Sequence, residues 1–256
     1  MTRLRKTARR EQIILELQHH PHVRTSELAA RFGVSTETVR RDVEALSQEG
    51  LIRRAYGGAS AAPMGAQPPF GERDQARIEE RVQIAARAAA LVRPGEVLMI
   101  DAGSTTHQFA LNLAAMARDL TVLTNSVAVA SALAQNETIQ VVICPGDFMA
   151  REVGIYGAET IDFIARHNAN RAFIGASGLT ASGITEANRL AVGVKRAMIR
   201  QSHESYLLVD HSKFDVNLVA TVEPLSALTA IITNEQPTGR LAKALTDAHV
   251  DVHLAG

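Results

Sequence analysis

Two groups of side chains in this sequence have the types and spacing to do chemistry: arginines on a short helix near the start, and small hydroxyl residues in a turn further along. In STETVRRDVEAL, Val39, Val43 and Leu46 recur at helical spacing, which turns Glu37, Arg40, Arg41 and Glu44 outward and leaves Ser35, Thr36 and Thr38 at the amino-terminal end. A helix of this kind suits duplex DNA: guanidinium groups pair with guanine edges or phosphates, and threonine methyls meet thymine. The following LIRRAYGG reads as a short hairpin, or wing, whose Arg53 and Arg54 could grip the DNA backbone or a narrow minor groove. In DAGSTT, the apolar run VLMID gives way to a helical pattern. Beside Asp101, Gly103 allows close approach, while backbone N–H groups and the hydroxyls of Ser104, Thr105 and Thr106 converge on a helix amino terminus. That is phosphate-binding chemistry, although no lysine follows the glycine as a Walker loop requires.

Further polar residues fall at the ends of apolar runs. Asn125 follows LTVLT, Ser177 follows AFIGA, and Asp210, Ser212 and Lys213 follow YLLVD. Lys195, on the helix before that last run, could reach the same edge. Arg151, in GDFMAREVG, is a candidate clamp for a phosphate or carboxylate. His19, His20 and His22 end a helix with no carboxylate or cysteine at matching spacing, so they read as surface histidines, and no metal or cofactor is expected. The single cysteine, Cys144, lies in VVICPG and reads as core.

These residues need scaffolds. The spacing predicts helices over 11–20, from an N-cap at Thr25 through Phe32, and from an N-cap at Ser35, with Gly33 making the tight turn between the last two. With the hairpin this is a winged helix-turn-helix over residues 1–57. Residues 58–72 are rich in Gly, Pro and Ala and read as a linker. Residues 73–256 open on a helix with Ile78, Val82, Ala85, Ala89 and Val92 as its apolar stripe. Strand candidates then alternate with helices, at 97–101, 120–124, 140–144, 172–176, 206–210, 228–233 and 250–254. This pattern predicts a larger α/β domain with a mainly parallel sheet.

Charge separates the same two regions. The net charge is zero over 256 residues, yet residues 1–56 hold eleven Lys/Arg against seven acids, leaving the remainder at −4. A basic end on an acidic body is expected when only that end meets a polyanion. No run of about eighteen uncharged apolar residues occurs, so a cytoplasmic protein without a membrane partner is expected.

ELAARFGVSTETVRRDVEALSQEGLIRRAYGGA, followed in order by DAGSTT, LTNS, FIGASGL and VDHSKF, resembles the DeoR family of bacterial transcriptional regulators over nearly the whole chain. The resemblance implies a homo-oligomeric repressor of a carbohydrate or polyol operon, bound to double-stranded operator DNA and released by a phosphorylated sugar or polyol. It implies a body like the sugar-phosphate isomerases, with 103–106 as phosphate loop and Asn125, Lys195, Asp210 and Lys213 lining the site. An isomerase bearing a DNA-binding domain is a competing reading. Against it, relatives often have Asp where Asn170 stands, and an amide cannot serve as a general base, although Asp210 and Glu186 remain acids. A nonspecific nucleoid protein is a second competitor, distinguished by binding without sequence preference.

Overall fold

The computed structural model describes residues 6–20, 22–48, 52–61 and 67–256. It falls into two compact units, Met1–Pro68 and Pro69–Gly256. The first contains α1 (Lys6–His19), β1 (His22–Arg24), α2 (Thr25–Phe32), α3 (Thr36–Gln48), β2 (Ile52–Ala55) and β3 (Gly58–Ala61). Ile13, Leu17, Leu28, Phe32, Val39, Val43, Leu46 and Ile52 form one apolar core beneath all three helices. Gly33 ends α2 at φ +62°, a left-handed position that favours glycine, and its N–H returns to the Ala29 carbonyl. The Ser35 hydroxyl then accepts the Thr38 N–H at 3.2 Å and caps α3.

Thr25 does not cap its own helix. It is the first helical residue, and both its N–H and its hydroxyl donate to the Gly57 carbonyl, at 3.0 and 3.1 Å. The wing turn is thereby tied to the start of α2. The 58–72 segment is ordered at both ends rather than linker throughout. Gly58–Ala61 is the middle strand of a sheet ordered β1-β3-β2, and Phe70–Asp74 is a helix. Small residues there reflect close packing: a Cβ on Gly58 would stand 2.2 Å from the Val23 carbonyl. Residues 62–66 of the segment lie outside the described residues.

The second unit opens with α4 (Phe70–Asp74) and α5 (Ile78–Ala89). Next come β4 (Val97–Ile100), α6 (Ser104–Met116), β5 (Leu120–Thr124), α7 (Val127–Leu133), β6 (Ile139–Ile143), the hairpin β7 (Asp147–Met149) and β8 (Gly154–Tyr156), and α8 (Ala158–Ile164). Then come β9 (Ala169–Gly175), β10 (Gly178–Thr180), β11 (Gly183–Glu186), α9 (Arg189–Arg200), β12 (Ser202–Leu208), β13 (Ala220–Thr221), β14 (Ala230–Thr233), α10 (Gly239–Asp247) and β15 (Asp251–Leu254). Seven strands pair in parallel in the order β15-β14-β12-β9-β4-β5-β6, and each corresponds to one of the seven expected from apolar runs. Alternate strand residues enter two cores. Leu98, Ile100 and Phe173 pack with Ile84, Phe109 and Leu133 on one face, while Met99, Ile174 and Leu207 pack with Ile164, Met198 and Leu241 on the other. The β7–β8 hairpin and the small β10-β11-β13 sheet have strands of two to four residues, too short to show an alternating pattern.

The stripe expected for the opening helix is rotated in its first turn. Ile78 and Val82 are exposed, and the buried positions of α5 are Arg81, Ile84, Ala85 and Ala88. The cause is local: Arg77 adopts φ +49°, breaking α4 from α5, and the Arg81 guanidinium turns back to bond the carbonyls of Arg73 and Ala76. Among the described residues no helix is long and apolar enough to cross a membrane.

Candidate DNA interface and ligand site

In the first unit, α3 and the wing flank a groove of about 340 Å³ lined by Thr25, Glu37, Arg40, Arg41, Glu44, Arg54 and Gly57, among others. Arg40 and Arg41 project from α3 with 70% and 79% of their side chains exposed. Each rests loosely on Glu37, at 4.0 and 3.4 Å, and Arg54 of the wing reaches Glu44 at 3.2 Å. Pairs this exposed are worth little and exchange readily, so a nucleic acid can take over these guanidinium groups. Thr36 is exposed at the first position of α3, Ser35 and Thr38 share a 2.8 Å hydroxyl bond, and Arg53 is exposed on β2. The helix itself is held firmly: buried Asp42 receives Arg9 at 2.6 Å and Arg10 at 3.3 Å from α1. His20 and His22 are exposed, and the His19 side chain lies outside the described residues.

In the second unit the parallel strands bring their carboxyl ends to one edge. The chain runs from β4 outward to β6, then returns to β9 on the other side of β4, so the strand order reverses between β4 and β9. Open α/β sheets bind ligands in the crevice at such a reversal. Asp101 and the 103–106 turn leave β4 at this point, and Gly175–Ser177 leave β9 beside them. The Thr106 hydroxyl donates to the carbonyls of Asp101 and Gly103, at 2.8 and 2.9 Å, and so shapes the turn. Among the described residues no protein group bonds the Ser104 or Thr105 hydroxyl at the start of α6. Asn125 braces the turn from the next strand, accepting the Ala102 N–H at 3.0 Å and donating to the Ile155 carbonyl.

Behind the turn is a buried ionic network. Lys195 bonds Asp101 and the Gly175 carbonyl and lies 3.6 Å from Glu186; Asp101 also accepts the Gly175 N–H at 3.0 Å. Glu186 in turn accepts from Ser177 and from the Ala187 and Asn188 N–H groups. Burial disfavours the Lys195 ammonium, but the Asp101 and Glu186 carboxylates outweigh it and lift its pKa above the ordinary lysine value.

A second cluster gathers cations. Asp210, wholly buried after β12, accepts the Ser212 N–H at 3.0 Å and faces Arg77 at 3.9 Å, while its Oδ2 has no partner. Burial opposes its ionisation, yet Lys213, the Ser212 side chain, Arg77 and Arg81 together hold its pKa below the usual carboxylate value. Lys213 is pulled the other way: burial and then repulsion from Arg81, Arg73 and Arg77 outweigh the attraction of Asp210 and lower its pKa. The Nε atoms of Arg73 and Arg81 are buried without partners. Arg73 bonds Glu152, and neighbouring Asp74 bonds His107, the residue next after Thr106, at 2.9 Å. Arg73, Arg77, Arg81 and Lys213 gather here among Asp74, Glu80, Glu152 and Asp210, with Arg77 3.4 Å from Glu80, and this concentration of cationic donors suits an anionic ligand.

The structure therefore brings Asp101, Gly103, Ser104, Thr105, Thr106, Asn125, Lys195, Asp210 and Lys213 to one edge of the sheet. Arg151 is exposed; its carbonyl accepts the Phe70 N–H, and it is the next residue, Glu152, that bonds Arg73. Asn170 lies at the opposite edge, near the start of β9, where its Oδ1 accepts the Val97 N–H at 2.8 Å. Its amide thus carries no argument for or against turnover at the other edge. Arg73, Arg77 and Arg81 were not anticipated as site residues; their spacing of four is visible in the sequence, but it is the break at Arg77, between α4 and α5, that brings them together.

Family models cover both units. One described as a DeoR-like helix-turn-helix domain matches residues 9–63, and one described as the DeoR C terminal sensor domain matches residues 76–235. The chain is 32% identical over 252 residues to the glycerol-3-phosphate regulon repressor of Escherichia coli (strain K12), covering 98% of this chain and 100% of that one. It is 30% identical over 237 residues to the HTH-type transcriptional regulator IolR of Bacillus subtilis (strain 168), covering 92% and 94%. It also resembles the solved ribose 5-phosphate isomerase A of Methanocaldococcus jannaschii, at a TM-score of 0.41 and 19% identity over 54% of this chain and 55% of that one. With a helix-turn-helix whose arginines face outward, a parallel α/β sensor body, and matches to both parts, the chain belongs to the DeoR family of DNA-binding transcriptional regulators.

Proposed function

We propose that this regulator represses a carbohydrate or polyol catabolic operon, and that a phosphorylated sugar or polyol bound at the carboxyl edge of the body sheet releases it from operator DNA. The observation that carries the reading is that unbonded hydroxyls at Ser104 and Thr105 share one sheet edge with Lys213 and with the buried, partly unsatisfied guanidinium groups of Arg73 and Arg81, the two parts joined by the Asp74–His107 bond. Phosphate oxygens take the loop N–H groups and hydroxyls, and the cations supply the field. As the edge opens to admit ligand, the unpartnered Oδ2 of Asp210, closed to solvent in the structure, accepts a hydroxyl of the ligand, which favours a polyol or sugar over inorganic phosphate. Asp101, Lys195 and Asn125 hold the turn in place rather than carry the charge of the ligand.

On the DNA side, Arg40 and Arg41 with Thr36 and Thr38 read the major groove, Ser35 fixes the helix start, and Arg53 and Arg54 hold the backbone. The body joins copies of the chain into a homo-oligomer that spaces two recognition helices for paired half-sites. Ligand shifts the assembly toward an arrangement with the wrong spacing, and DNA affinity falls by the ligand's differential preference for the two states.

A thermal-shift comparison of glycerol 3-phosphate, ribose 5-phosphate and glucose 6-phosphate against their unphosphorylated counterparts tests the ligand class. One or more phosphorylated compounds raise the unfolding temperature and the matched alcohols do not. Equal shifts from both sets, or none from either, contradict it.

A further inference from the structure

The wing carries a residue that neither the groove nor the ligand site uses. Tyr56 sits at the tip of the β2–β3 hairpin with 105% of its reference surface exposed, as no other described large apolar or aromatic side chain is. The turn has two residues, Tyr56 and Gly57, closed by the Ala55–Gly58 pair, with Gly57 at φ +72°. The tip is not a loose loop. Thr25 holds the Gly57 carbonyl with two hydrogen bonds, and Gly58 packs against the Val23 carbonyl with no room for a Cβ. A phenol ring is thus held out to water on a rigid support, flanked in sequence by Arg53 and Arg54.

Where the ring meets DNA follows from duplex geometry. Neighbouring major and minor grooves are separated by one sugar-phosphate strand. Here the recognition helix α3 and the wing are separated by a groove whose cations, Arg40, Arg41 and Arg54, suit one such strand. Glu37 and Glu44 also line that groove, but each is paired with those arginines and keeps the guanidinium groups at its walls. With α3 in the major groove and a backbone strand between helix and wing, the tip projects over the next minor groove.

We infer that Tyr56 enters this minor groove, its ring against the deoxyribose walls and its hydroxyl donating to an adenine N3 or thymine O2 acceptor. The chain thereby prefers A·T pairs beside the segment read by α3. The inference rests on DNA binding by the helix-turn-helix and adds a second, uncharged reading contact to it.

The test uses full-length protein and a duplex that it selects from a randomised library, with affinity followed by fluorescence anisotropy across a salt series. Tyr56→Ala is expected to weaken binding about tenfold with the salt slope unchanged, since no phosphate contact is lost. Tyr56→Phe falls between the two. Replacing adenine by 2,6-diaminopurine in the flanking A·T pairs adds an amino group to the minor groove alone. It is expected to weaken the wild type and leave Tyr56→Ala unaffected. Binding by Tyr56→Ala within twofold of wild type overturns the inference. So does a loss accompanied by a shallower salt slope, equal sensitivity of both proteins to diaminopurine, or a variant altered in self-association instead of DNA affinity. Failure of the wild type to select any duplex would instead contradict sequence-specific DNA binding itself.

Discussion

The two charged regions of this molecule are built on opposite terms. At the DNA-facing end, Arg40, Arg41 and Arg54 are 67–79% exposed and rest on glutamates that are themselves more than half exposed. At the ligand edge, Asp101, Lys195 and Glu186 are at most 5% exposed, and Asp210 is sealed from water altogether. Exposed pairs in high dielectric exchange partners at little cost, which suits a surface that must bind and leave a polyanion. Buried charges are held by their partners and cannot be left alone, so an incoming anion changes the energetics of the whole edge. The difference suits the reading and sensing roles proposed for the two regions.

The largest effect that could break this contrast is on stability. Lys195→Met leaves Asp101 and Glu186 buried beside each other without their cation and is expected to cost roughly 3–5 kcal/mol. Glu44→Gln, at the exposed Arg54 pair, costs under about 1 kcal/mol. Urea unfolding of both variants checks this, and similar losses would erase the distinction.

Next in size is function at the reading end. Arg41→Ala is expected to weaken operator binding by about 1–3 kcal/mol and, where Arg41 holds a phosphate, to lower the salt slope by about one. Thermal shifts by the effector remain as in wild type. A parallel loss of effector binding would show that the two regions are not separate.

The smallest effect is a pH dependence confined to the sensing end. An anion binds best while Lys213 is charged, and Lys213 is charged below its pKa, which burial and the neighbouring arginines lower. Effector affinity therefore weakens as pH rises through a value below the ordinary lysine range. Lys213→Arg, which keeps its charge, flattens that profile. Calorimetric titration across pH in both proteins sharpens the assignment, and an identical decline in the variant would move it to another group.

Much of this architecture was legible in the residues themselves. The seven sheet strands follow from apolar runs bounded by turns, and the helix-turn-helix from Val39, Val43 and Leu46 together with Gly33 and Ser35. What escaped were a local break in one helix and contacts made at long range. Ile78 and Val82 fit the apolar stripe of an amphipathic helix, yet they are exposed while Arg81 is buried, because the chain kinks at Arg77 and Arg81 bonds the carbonyls before the kink. Lys195 follows apolar Val194 and could equally have faced water; only the fold brings Asp101, ninety-four positions away, to its ammonium. Asn170 enters the sequence reading only through the Asp that relatives often carry there, and the direction of β9 puts it at the edge opposite the candidate ligand site. Periodicity reports local structure well, whereas the pairing of buried charges depends on which strands become neighbours.

The central claim is that hydroxyls at the 103–106 turn sense an anion and that this signal reaches the DNA-facing helix. Its most direct test is release of operator duplex by the effector, followed by anisotropy in wild type and in a Ser104→Ala, Thr105→Val double variant. Both proteins are expected to bind the duplex with equal affinity, and effector to release the wild type but leave the double variant bound. Release of the double variant at the wild-type effector concentration would contradict the claim.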